Sequence, residues 1–233
     1  MNDKINIQTI VPFLAEDFVD LDSPIFDRDK YSTFLTENSD RLENFRKYLI
    51  WKLNDSWITN FEIKSNKLKM KLNDFSTHVF ADAIVEKFKI DIDHDKLDFP
   101  IILELKGNLN FEFYRVEENG DLEIIDQILI DEYLGEQILK LNDDLIEIAF
   151  ELWHSNPNKN LPGERILMIA SAKELKLTEN QKKAWSAIFG DKYDEYYQYF
   201  KEQFESDRYV SDFSECLKLI NEYEKKSRPH NSA

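Results

Sequence analysis

Apolar and charged residues alternate through FEIKSNKLKMKL, residues 61–72, and no other feature constrains the fold as tightly. Phe61 and Ile63 interleave with Glu62 and Lys64. After a Ser65-Asn66 turn, Leu68, Met70 and Leu72 interleave with Lys67, Lys69 and Lys71. Successive side chains of a strand point to opposite faces, so this spacing predicts a hairpin with one face buried and the other wet. A second alternation runs through LIEIAFELW, where Ile146, Ile148, Phe150 and Leu152 interleave with Glu147, Ala149 and Glu151. A helix would smear those glutamates around its surface, whereas a strand puts them all outside.

The rest of the chain is read around these strands. Residues 1–27, with Pro12 and Pro24, read as a short strand and loops. Residues 28–53 read as helix broken at Asn38-Ser39, with Ser39 as N-cap and Leu42, Phe45, Leu49 and Leu53 on a buried face. Residues 75–89 place Phe80, Ile84 and Phe88 four apart and favour helix, although Phe88, Ile90 and Ile92 also fit a strand. FPIILELKG and LNFEFYRV meet at Gly107-Asn108, a hairpin signal. Glu118-Asn119-Gly120-Asp121 marks a turn into LEIID, and Asn142-Asp143-Asp144 separates EQILKL from LIEIAFELW. NPNKNLPG, residues 156–163, reads as a linker. Beyond it ERILMIASAKEL reads as a short helix, and Thr178 with Gln181 as a capping box ahead of QKKAWSAIF, which Gly190 would stop. Two further helices complete the tail, and residues 229–233 should fray. The expectation is an α+β chain. An N-terminal helical segment and a central, mainly antiparallel sheet would form one domain over residues 1–155, followed by a helical region over 164–228.

Composition sets the class of partner. A hydrophobic content of 42% with 13% aromatics supplies a core and argues against disorder. The single Cys216 cannot form an intramolecular disulfide, which suits a reducing compartment. The N-terminus lacks a basic, apolar leader, and runs such as LMIA at 167–170 are too short to span a bilayer, so a cytoplasmic protein is expected. A formal charge of −16 opposes binding to nucleic-acid phosphate and to anionic membranes, and attracts a basic protein.

The segment KIDIDHDKLDFP looks most like chemistry. An EF-hand calcium loop needs oxygen ligands at positions one, three and five, glycine at six and glutamate at twelve. Asp91, Asp93 and Asp95 supply the first three, but Lys96 and Ile102 occupy the last two. His78, His154 and His230 share no zinc-ligand spacing with His94, so an acidic turn is expected rather than a metal site. Cys216 sits among Leu217, Leu219 and Ile220 and reads as a buried hydrophobe. The chain has no GxSxG, HExxH or phosphate-binding glycine loop, and no cofactor is expected. In the tail, Tyr193, Tyr196, Phe200 and Phe204 share a helix face and should pack, leaving Tyr197 and Tyr199 for a contact surface.

Charge distribution says more than its total. Between Glu117 and Glu151 there are twelve acids and one base, Lys140. The hairpin's Lys64, Lys67, Lys69 and Lys71 are too few to neutralise them. The candidate partner-binding residues are therefore Glu117, Glu118, Asp121, Glu123, Asp143, Asp144, Glu147 and Glu151, offered to a basic protein. The rival reading is a hydrolase whose site is assembled from scattered carboxylates.

Leu53-Asn54-Asp55-Ser56, leading into the first hairpin strand, resembles the opening of the β-rich core of small bacterial proteins of unknown function and of immunity proteins of polymorphic toxin systems. Those open with a Leu-His-Asp-small stretch, and here Asn54 stands in place of the histidine. The resemblance spans residues 53–152. It implies a non-enzymatic protein that neutralises a toxin by covering its active surface.

Overall fold

In a computed structural model of the chain, which describes residues 5–18, 27–42, 45, 52–126, 129–155, 163–206 and 212–227, the alternating stretch is a hairpin. Its strands are β1 (Ser56–Lys64) and β2 (Lys67–Asn73), with Leu68, Met70 and Leu72 buried. β3 (Pro100–Lys106), β4 (Asn110–Val116), β5 (Leu122–Ile125), β6 (Glu132–Asn142), β7 (Leu145–His154), β8 (Glu164–Ala172) and β9 (Glu174–Glu179) follow. Their order in the sheet is β5-β4-β8-β7-β6-β1-β2-β3-β9. Helices at both ends of the chain flank this antiparallel sheet in sequence, which makes the protein α+β. The residues divide into two compact units, Met1–Leu72 with Ile102–Thr178, and Asn73–Ile101 with Glu179–Ala233.

In the first unit the sheet turns back on itself. Among the described residues, β1 pairs with β6 at Ser56 opposite Tyr133 and Trp57 opposite Glu132. Farther along β1 the ring of Phe61 lies 6.3 Å from that of Phe113 on β4, four places away in the strand order. β8 and β9 are separated by Lys173 alone, yet β8 lies between β4 and β7 while β9 is an edge strand. The Lys173 amide donates to the carbonyls of Lys106 and Gly107, at 3.0 and 2.8 Å. A strand that changes layers at a bend is how two sheets share a corner.

Both faces of β7 and β8 are covered. Tyr114, Ala149 and Leu167 share one face and pack with Ile7, Val11, Phe13, Leu14 and Ala15. Phe113, Phe150 and Met168 point the other way and are equally buried. Residues 164–172, expected to be helical, are therefore strand β8. The apolar run Ile166–Ala170 supplies both faces at once, so it lacks the period that would have announced a strand.

Two short helices replace the strand and loops expected near the N-terminus. α1 (Ile7–Ile10) starts where the Asn6 side chain accepts the Gln8 amide at 3.1 Å, and α2 (Pro12–Phe18) opens on proline. The Phe13 amide then donates to Gln137 Oε1 at 3.0 Å, fixing α2 to β6. α3 (Arg28–Glu37) is capped by Asp27 and ends at Asn38, and α4 (Ser39–Leu42) follows, so the helix breaks where the sequence indicated. Ser39 is the first residue of α4 rather than its cap. Leu42, Phe45 and Leu53 are buried, while Leu49 lies outside the described residues.

Gly107-Asn108 does not close a hairpin. Both residues take positive φ, 76° and 51°, as the dipeptide signals. Yet β3 neighbours β2 and β9, and β4 neighbours β5 and β8. The turn passes the chain between layers, held by the Gly107 amide on the Asn66 carbonyl (3.1 Å) and the Leu109 amide on Asn66 Oδ1 (3.2 Å).

The second unit is helical. α5 (Phe75–Phe88), α6 (Gln181–Phe189), α7 (Asp194–Glu205) and α8 (Phe213–Ser227) surround stacked aromatics, with Phe80 4.5 Å from Phe200 and 5.7 Å from Trp185. The Thr178–Gln181 capping box does not form. Thr178 ends in β9, Asn180 is the N-cap, and Gln181 donates its side chain to the buried carboxylate of Asp74 at 3.0 Å. Gly190 stops α6 with φ at 67°. Tyr197 and Tyr199, expected to project outward, are buried beside Trp185 and Tyr223 respectively. Residues 156–162 of the expected linker 156–163, and residues 228–233, lie outside the described residues.

Candidate functional site

The strand register sorts the acidic stretch into two groups. Arg115 on β4 is level with Ile166 on β8, and Arg165 beside it is level with Trp153 on β7, which is level with Glu132 on β6. That end of the layer carries the β4–β5 turn with Glu117, Glu118 and Asp121, together with Glu123 and Glu151. The opposite end carries the β6–β7 turn with Asp143 and Asp144, and Glu147 near it. Ten residues of β7 separate the ends by about 30 Å at the rise of an antiparallel strand. The eight candidates thus form two separate acidic ends of one layer.

Their environments differ as much as their positions. Glu117, Glu118, Asp143 and Asp144 are exposed in turns. Gly120 takes φ of 82°, and a Cβ there would sit 3.0 Å from the Asn6 side chain, so glycine holds the first turn against the N-terminal segment. Asp121 accepts the Asn119 side-chain amide at 3.0 Å. Glu123 accepts from Arg115 at 3.1 Å, and the same guanidinium holds Glu164 at 2.8 Å, which keeps the Glu164 carboxyl below the usual range. Glu147 is half-buried opposite Lys140 and Ser171.

Glu151 corrects the expectation that every glutamate of β7 lies outside. It is 2% exposed and paired with Arg165. Its face is the one on which α1 and α2 pack, so strand alternation directs it inward as firmly as it directs Phe150.

Beside this pair lies a cluster that charge counting alone did not single out. Asp55 closes the turn before β1 with φ of 61°, its amide donating to Asn54 Oδ1 at 3.0 Å. Burial raises the Asp55 carboxyl above its ordinary pKa, with Arg165 opposing the rise. Burial also raises Glu132, and the charges of Asp55 and Asp131 add to it. The Ser155 amide donates to Asp131 at 2.6 Å. Trp57, Glu132, Trp153 and Arg165 are successive cross-strand partners in one row. Gly163 lies on Trp153, where an added Cβ would come within 2.6 Å of the indole. Asn54-Asp55 is a turn dipeptide in the sequence, but its approach to Glu132 and Arg165 depends on strand order.

In the second unit the aspartate loop is a short 3-10 turn, His94–Lys96, with Lys96 paired to Asp93 at 3.2 Å. The fold brings together two histidines that share no metal spacing in sequence. His78 and His94 face the two oxygens of Asp82, at 3.6 and 3.0 Å. The i,i+4 spacing of His78 and Asp82 on α5 was the available signal. Among the described residues no group of three or more His, Cys, Asp or Glu side chains is arranged to hold a metal ion. Cys216 is fully buried and its thiol is pushed up to about 12 by that burial and by Asp212, Glu215 and Asp82. Among the described residues no helix is long and apolar enough to cross a membrane.

Searches against protein-family models, curated proteins and solved structures find no match to the chain. The arrangement presents more carboxylates than cations at both ends of the layer, and holds part of the excess where water is scarce. Such a surface favours an incoming cationic group over an anion.

Proposed function

We propose that the protein is an acidic protein-binding module acting in the cytoplasm, an immunity-like inhibitor that occludes a basic effector. The observation carrying this reading is the exposure of Glu118, Asp143 and Asp144 at the acidic ends of the layer, with no ion pair to a base among the described residues. Opposite-sign patches raise encounter rates, and the gain falls with salt because exposed charges are screened within about 10 Å at 0.1 M.

The test starts from a partner captured out of the native host at low ionic strength. Its association with the parent chain and with Asp143→Lys/Glu147→Lys is followed by stopped flow. The double reversal should slow association on the order of tenfold at low salt, with the difference closing at high salt. Equal rates for the two proteins at low salt would remove the electrostatic mechanism.

A further inference from the structure

We infer that the outer edge of β5 is a docking strand for an extended, basic segment of a partner protein. This inference rests on the binding reading above and names the surface that engages. β5 is an end of the strand order, and among the described strands it pairs with β4 alone, through Phe113 with Ile125, Tyr114 with Ile124, Arg115 with Glu123 and Val116 with Leu122. The amide of Leu122 points away from β4 and donates to the carbonyl of Ile5 at 2.9 Å. In an antiparallel ladder, residues two apart direct their amide and carbonyl to the same side. The N–H and C=O of Ile124 therefore also face outward. Among the described residues, the bridge between Asn6 and Asp121 covers the edge as far as Leu122.

The side chains beside this open edge suit a strand of definite composition. Ile124 is 66% exposed. Glu118, Glu123 and Asp126 are exposed around it, and among the described residues Arg115 is shared by Glu123 and Glu164. Main-chain bonding to Ile124, apolar contact with its side chain and cations against the flanking acids together describe a segment alternating Lys or Arg with Val or Ile. A second copy of the chain is the wrong occupant by charge, since it would bring another −16 to the same edge.

The probe is a synthetic peptide of about ten residues alternating lysine and valine, long enough to form one strand. It is titrated into the full isotope-labelled chain at low ionic strength. A control peptide of the same composition carries alternate D-residues and cannot pair as a strand. The expected result is binding of the first peptide only, with the Ile124 amide shifted and its hydrogen exchange slowed. Ile124→Pro removes the outward N–H without touching a bond to β4, so it should leave the circular dichroism unchanged and weaken binding on the order of tenfold or more. Ile124→Lys keeps the N–H but sets a cation against the incoming lysines, and it should weaken binding even if the proline variant fails to fold. Equal binding by both variants, or equal binding of the two peptides, overturns the docking strand. So does self-association through β5 that Ile124→Pro abolishes. Shifts confined to Asp143 and Asp144 also overturn it while leaving the acidic binding module standing. Failure of that broader reading shows separately, as a captured partner indifferent to Asp143→Lys/Glu147→Lys.

Discussion

Arg165→Met removes the guanidinium from Glu151 while keeping most of the aliphatic length of the side chain. Glu151 is 2% exposed and Arg165 is 43% exposed. Deleting one partner of a buried pair costs up to about 3–5 kcal/mol, because the remaining charge stays inside. Water reaches the outer part of Arg165, so screening lowers the expected cost to about 2–3 kcal/mol. In a chain of this size that corresponds to a fall in Tm of about 4–12 °C. The better assay is amide hydrogen exchange along β7 and β8, which reads the first unit alone, where a global melt would blend two units. Replacing both partners, Glu151→Leu with Arg165→Met, should recover stability to within about 1 kcal/mol of the parent. Single-variant losses below about 0.5 kcal/mol would refute the inward placement of Glu151. The outcome also bears on binding, because any charge reversal at Glu151 measures folding before it measures association.

Two further outcomes follow from the same end of the layer. Glu132 has its folded pKa raised by burial, Asp55 and Asp131, so its ionised form destabilises the fold at neutral pH. That destabilisation lifts as pH falls through the raised value and is gone below the unfolded value of about 4.3. Glu132→Gln should therefore melt above the parent at pH 7, with the gap closing near pH 4; a constant or reversed gap would contradict the assigned environment. Gly163→Ala brings a methyl group against the Trp153 indole and within 2.8 Å of the His154 carbonyl, and should cost about 1–3 kcal/mol by urea denaturation. An unchanged midpoint would mean that this close approach does not exist.

Strands with one wet face were legible in the sequence, as β2 of the hairpin shows, because alternation records the difference between faces; in β1 Phe61 and Ile63, expected to be buried, are only half-buried, as is Glu62 between them. β8 was not, since a run buried on both sides has no alternation to read. Gly107-Asn108 correctly signalled positive φ, but a turn's backbone geometry does not say whether the strands on either side pair with each other. Tyr197 and Tyr199 were misplaced because helix periodicity finds one packed face, whereas α7 meets neighbours on more than one. The excess of acid between Glu117 and Glu151 was plain from counting. Its division between two ends, the inward turn of Glu151 and the approach of Asp55 to Glu132 all follow from register, which composition does not encode.

The position of β8 also governs when the first unit can assemble during synthesis. The β4–β5 hairpin and the β6–β7 hairpin are made early, but the strand that lies between them is missing until residues 164–172 arrive. The same late stretch, continued past Lys173, supplies the closing edge β9. A nascent chain halted before Glu164 would hold two ribbons with bare borders, the kind of species that cells protect with chaperones.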